Sequence, residues 1–220
     1  MRLGEKMLPA EARDIQVGLA GKVRIIPFRK KRFLIAGTDV SFCDDDGRCV
    51  AGVVIMDFPS LETVEAKWLV SEITFPYISG LLSFREIPPL FDVFEKIENR
   101  PDCIMADGQG IAHPKRFGLA SHLGLILGIP SIGCAKSRLI GAYKEPGLER
   151  GSRAELAIGG ETVGSVVRTR TGVAPVFVSP GHMMDIESSV RIVLSCAVTR
   201  IPEPTKRAHC LVSKNRLKNF

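Results

Sequence analysis

The chain has no Cys-x-x-Cys pair and no histidine cluster at zinc spacing, although it holds six cysteines, at 43, 49, 103, 134, 196 and 210. That argues against a structural zinc. No apolar run approaches the ~18 residues of a membrane span, and no N-terminal stretch joins a basic start to a long apolar core. A cytoplasmic location without a membrane is therefore the expectation. Repeats and low-complexity linkers are missing as well. With 220 residues and 45% hydrophobic content, one well-buried domain over 1–220, acting as a monomer, is expected.

Several familiar chemistries fail for want of one residue. His182 follows Ser179-Pro180-Gly181, but no Gly-x-Ser-x-Gly elbow accompanies Ser179, which leaves serine hydrolysis unsupported. Asp107-Gly108-Gln109-Gly110-Ile111-Ala112-His113 begins like a dinucleotide fingerprint, yet His113 stands where the third glycine would allow close helix packing. Lys136-Ser137 follows Ala135, where a phosphate-binding loop needs glycine. Asp44-Asp45-Asp46-Gly47 has its glycine too early for a calcium loop, with Ile55 at the twelfth position. Cys43 and Cys49 flank that turn and are placed to meet across a hairpin, although reduced thiols are the default.

The charge that is present is uneven. Lys and Arg number 30 against 24 Asp and Glu, giving +6. Residues 22–38 carry Lys22, Arg24, Arg29, Lys30, Lys31 and Arg32 with no acid, and residues 201–220 carry five Lys and Arg against Glu203 alone. Such patches favour an anionic partner, with a solvated face as the plain alternative.

Three acids then stand out by position. Asp39 ends the run 33–38, Asp107 ends 103–106 before Gly108-Gln109-Gly110, and Glu86 follows 81–85 and precedes Pro88-Pro89. Singly, each reads as a turn former or helix cap. Jointly they suit a hard divalent ion, Mg²⁺ with Mn²⁺ as substitute, which takes oxygen ligands and leaves room for phosphate and water.

Patterning places a short helix over 10–20 and strands over 33–43, 49–58 and 64–73 as an antiparallel meander. Pro88-Pro89 is read as opening a helix that ends at Arg100-Pro101. A strand over 103–106, a helix from Pro114 through Leu127 capped by Gly128, and a strand over 131–135 follow. A hairpin over 162–178 and a helix over 185–198 complete the expected elements. The leading order β-β-β-α-β-α-β is that of an α/β, ribonuclease H-like mixed β-sheet flanked by helices. In that fold the first and fourth strands are neighbours, so Asp39 and Asp107 are expected to face one another and to favour a neutralising cation.

Pro76-Tyr77-Ile78-Ser79-Gly80 puts an aromatic and a branched apolar side chain on a Pro- and Gly-bounded loop. Such a wedge can open a duplex, and a tyrosine tucked into the core is the bland reading. Pro76-Tyr77-Ile78 with 80–86, Asp107 to Gly110 with His113-Pro114, and Ile201-Pro202-Glu203-Pro204-Thr205 together resemble endonuclease V, over about 33–208. The block around Phe84-Arg85-Glu86 is the most specific part.

The resemblance implies a ribonuclease H-like fold and Mg²⁺-dependent cleavage of DNA at the second phosphodiester 3′ to a deoxyinosine, leaving 3′-hydroxyl and 5′-phosphate ends. It implies Asp39 and Asp107 as metal ligands, Glu86 as the third acid, His113 and Lys136 as supporting catalytic residues, and Tyr77 as the wedge. Pro76 and Ile78 belong to the same DNA contact, and the flipped base is expected against main-chain groups of Gly80, Leu82 and Gly108. Ser79 departs from the pattern, where the wedge commonly has a second proline. Inosine-containing RNA is a further candidate partner. The competing readings are another ribonuclease H-like nuclease, such as a junction resolvase, and a non-catalytic binder of inosine-containing nucleic acid.

Overall fold

The computed structural model describes residues 7–219. Eight strands form one mixed sheet: β1 (Phe33–Cys43), β2 (Arg48–Phe58), β3 (Thr63–Glu72), β4 (Cys103–Ala106), β5 (Ser131–Ala135), β6 (Arg153–Ile158), β7 (Glu161–Val167) and β8 (Val176–Pro180). Their spatial order is β3-β2-β1-β4-β5-β8-β7-β6. β1, β4 and β5 run parallel, and every other pairing is antiparallel. Five helices join them: α1 (Pro9–Ala20), α2 (Leu82–Phe94), α3 (Leu119–Leu127), α4 (Ile186–Cys196) and α5 (Glu203–Asn219).

Successive residues of the central strands point to opposite faces, so their continuous apolar runs feed two cores. Ile35, Cys103 and Met105 join Ile192, Val193 and Ala208 on one face. Ala36, Ile104 and Ala106 join Leu90, Val93 and Leu123 on the other. The first core is closed by α4 and α5, the second by α2 and α3. None of the described helices is long and apolar enough to cross a membrane.

The meander β1-β2-β3 and the parallel β4 and β5 agree with the sequence reading. Four details differ. α2 begins at Leu82, six residues before the proline pair, and Pro88 and Pro89 lie inside it. Proline removes a helical N–H, but the buried side chains of Ile87, Leu90 and Val93 hold the helix against the sheet. Glu86 therefore sits within a helix rather than on a loop. α3 begins at Leu119, not Pro114, because residues 107–118 form a loop that folds back on the sheet, where Gly118 N–H donates to the Gly110 carbonyl. β6 was not anticipated, and neither was α5. In keeping with the default reading, Cys43 and Cys49 are unbridged; the β1–β2 register sets them opposite Arg48 and Phe42, and the Cys43 thiol donates to Asp46.

α5 lies along β1 and β2. At Gly37 a side chain would have no space at all, since a Cβ there would meet the Pro204 carbonyl oxygen at 1.9 Å. Bare backbone is what lets the start of α5 rest on β1.

Candidate active site

Parallel pairing brings the two aspartates together. β1 and β4 run in register from Ile35 opposite Cys103 to Thr38 opposite Ala106, and Asp39 and Asp107 are the next residues on each chain. Asp39 is not at a strand end, because β1 continues to Cys43 beyond the point where β4 stops. Glu86 arrives from α2. Each aspartate has about a sixth of its side chain exposed.

The electrostatics show mutual proximity. Burial raises the Glu86 carboxyl to about 8, and the charges of Asp39 and Asp107 push the same way, with Arg85 opposing. Asp39 is raised by burial, relieved by its hydrogen bond with His209, and raised further by Asp107. Burial works against the charge on Lys136, but Asp107 and then Asp39 outweigh it and hold the amine above its usual range. Three acids sharing one half-buried site are thus short of positive charge. Lys136 supplies part of it, its Nζ standing 2.5 Å from Asp107 Oδ2. His209 Nδ1 is 2.9 Å from Asp39 Oδ2. Among the described residues, no group of three His, Cys, Asp or Glu side chains is placed to hold a metal ion as it stands.

A cavity of about 280 Å³ opens beside Asp107. Ile78, Gly80, Leu82 and Ser83 form one wall, and Gly108, His113, Lys136 and Leu139 line it opposite. Gly80 takes φ +81°, a conformation glycine adopts freely, to turn the chain into α2. Tyr77 stands at the mouth with 70% of its surface exposed, whereas Ile78 packs on Phe75, Leu81 and Phe84. Tyr77 is therefore not a core residue. Pro76 lies outside this cavity, against a separate shallow one beside Asp44 and Arg85. His113 is buried at the cavity wall, and burial lowers its imidazole pKa against a hydrogen bond with the Gly80 backbone. Its Nδ1 accepts from the Lys115 N–H at 3.1 Å within the 107–118 loop, and the Gly80 contact fastens that loop to the wedge loop.

His209 was missed by sequence reasoning, which ended its elements at 198. The signal was present but weak: Glu203 and Pro204 in a first helical turn, then Ala208, Leu211, Val212 and Asn215 at helical spacing. Small and polar residues on the buried side blunt the periodicity.

The chain is similar to known proteins along most of its length. The Endonuclease V family model matches residues 18–210. The chain belongs to the endonuclease V family. It is 49% identical to Endonuclease V of Methanothrix thermoacetophila over 207 residues, covering 94% of this chain and 91% of that one. The solved Endonuclease V of Streptomyces avermitilis superposes with a TM-score of 0.92 at 40% identity, over 96% of this chain and 94% of that one. Endonuclease V of Ciona intestinalis, solved with a 24mer DNA containing an inosine followed by a ribo-adenosine, gives a TM-score of 0.86 at 28% identity, over 96% and 98%. As an endonuclease V, the chain is a nuclease of α/β, ribonuclease H-like fold.

Proposed function

We propose that this endonuclease V recognises a deaminated base, chiefly deoxyinosine, in DNA and hydrolyses the second phosphodiester 3′ to it, leaving 3′-hydroxyl and 5′-phosphate ends. The observation that carries this reading is a juxtaposition. Asp39 and Asp107 stand side by side in the β1/β4 register, within charge reach of Glu86, and Asp107 also lines a base-sized cavity with an exposed Tyr77 at its mouth.

The residues fit a hard divalent cation. Their donors are carboxylate oxygens, and burial, with the charges of Asp39 and Asp107 pushing the same way, holds Glu86 protonated up to about pH 8 when nothing neutralises them. Mg²⁺, with Mn²⁺ as substitute, would be held by Asp39 and Asp107 with Glu86 beside them. Such an ion supplies charge neutralisation and a more acidic water.

The chain's own groups do the rest. Lys136 already sits at Asp107 and is placed to offset the negative charge on a phosphate drawn to that carboxylate. His209 fixes the orientation of Asp39 through their hydrogen bond. Tyr77 enters the base stack, which costs a few kcal/mol, least at a mispaired base, and so favours the lesion. The cavity then receives the extruded base, and His113 holds the Gly80 and Gly108 walls together.

A duplex with one deoxyinosine, incubated with Mg²⁺ and mapped to nucleotide resolution, tests this directly. The expected result is one nick at the second phosphodiester 3′ to the lesion. Preferential cutting of a four-way junction, or binding of inosine without any nick, would replace the proposal. The same duplex with ribonucleotides around the inosine measures how far RNA is accepted.

A further inference from the structure

Behind the base cavity lies a polar pair that the proposed chemistry does not use. Ser83 lines the cavity from the first turn of α2, 3% exposed. Its Oγ stands 3.0 Å from His122 Nδ1, on α3. The His122 ring is 2% exposed and sits 4.8 Å from the ring centroids of both Phe84 and Phe117. Its Nε2 has no hydrogen-bond partner among the described residues.

That pattern fixes the direction of the bond. Burial lowers the imidazole pKa to about 3, so the ring is neutral and carries one N–H. A hydrogen on Nε2 would bury an unpaired donor, a rarer and more costly defect than an unpaired acceptor. The proton is accordingly assigned to Nδ1, which donates to Ser83 Oγ. The serine hydroxyl, which makes no other hydrogen bond to a described residue, then has its own proton to give to whatever enters the cavity.

We propose that Ser83 reads the 6-oxygen of the extruded base and that His122 is the positioning residue that keeps the hydroxyl a donor. A 6-keto oxygen accepts from Ser83, whereas against the 6-amino group of adenine the hydroxyl must turn to accept on its remaining lone pair and leave its own proton without a partner in a dry site. Deamination of adenine replaces that amino group with an oxygen, so this one contact separates the deaminated base from adenine; guanine carries the same 6-oxygen and is not told apart by it. The inference rests on the base-binding reading of the cavity.

A double-mutant cycle between side chain and base isolates the contact. Single-turnover nicking is measured on a duplex with deoxyinosine and on one with unsubstituted purine, which lacks the 6-oxygen. Ser83→Ala should slow the inosine duplex about tenfold, the value of one hydrogen bond in a dry site, and leave the purine duplex within about twofold. Because both substrates meet the same preparation, any fraction of unfolded protein cancels in the ratio. His122→Asn, which keeps an amide donor near the Nδ1 position, should retain the inosine preference, and His122→Phe should lose it as Ser83→Ala does. Equal slowing on both duplexes would overturn the proposal. No nicking of the inosine duplex by the parent protein would overturn the site reading itself, and this inference with it.

Discussion

Arg168 and the Asp39, Glu86, Asp107 cluster are both charged groups drawn out of water, and the chain treats them in opposite ways. Arg168 is 4% exposed and fully answered: Nε donates to the Gly147 carbonyl, Nη1 to Val173, and Nη2 to Glu145 and the Pro146 carbonyl. It ties residues 145–147 and 173 to the end of β7. The acids are answered only in part, by Lys136 and His209, and their repulsion persists. A buried charge with a complete partner set supports the fold. One left short of counter-charge marks the place where a ligand completes it.

Substitution tests that contrast most sharply at the acids. Asp39→Ala or Asp107→Ala should slow nicking about a thousandfold or more, while binding of inosine DNA in Ca²⁺ changes little. Single-turnover rates and filter binding check this, and turnover equal to the parent would remove the assigned centre. Arg168→Met should do the reverse. It strands several carbonyls and should lower unfolding free energy by about 3 kcal/mol, with nicking per folded molecule unchanged.

A pH series sharpens the same contrast. Glu86 has a folded pKa of about 8 against an ordinary 4.5, so between those values the folded chain binds more protons than the unfolded one. Without metal, this group's contribution therefore makes stability fall as pH rises from 4.5 to 8. Denaturant titrations at pH 5 and pH 8 should show that fall, and Glu86→Gln or saturating Mg²⁺ should flatten it. A slope unaffected by either would contradict the raised pKa. The smallest effect is expected at the wedge: Tyr77→Ala should reduce the ratio of inosine to undamaged-DNA cleavage about tenfold and leave the salt dependence of binding alone.

How much of this was legible in the sequence follows from where each signal is local. β1 and β4 announce themselves as apolar runs broken at Asp39 and Asp107, and their neighbour relation follows from the order of elements. Tyr77 is flanked by proline and glycine and is indeed exposed. Glu86 was legible as an acid but not as a helical one, since Pro88-Pro89 reads as a helix start and only packing on the sheet keeps the preceding turn helical. His209 was only faintly legible for a related reason. Its helix buries Thr205, Ala208 and Asn215, so tertiary fit rather than apolar periodicity specifies it. Ser83 and His122 are far apart in sequence and meet only because α2 and α3 pack side by side.

Gly37 lies two residues before Asp39, and Pro204 lies five before His209. Since the carbonyl of one occupies the space a methyl group would need on the other, helix and strand share a seat without clearance, and neither can shift without the other. The spacing between the imidazole and the aspartate is thus inherited from a contact of main chain on main chain, outside the reaction centre. Any exchange of the C-terminal segment with a relative's must therefore bring its matching strand, or the histidine will arrive at the wrong height.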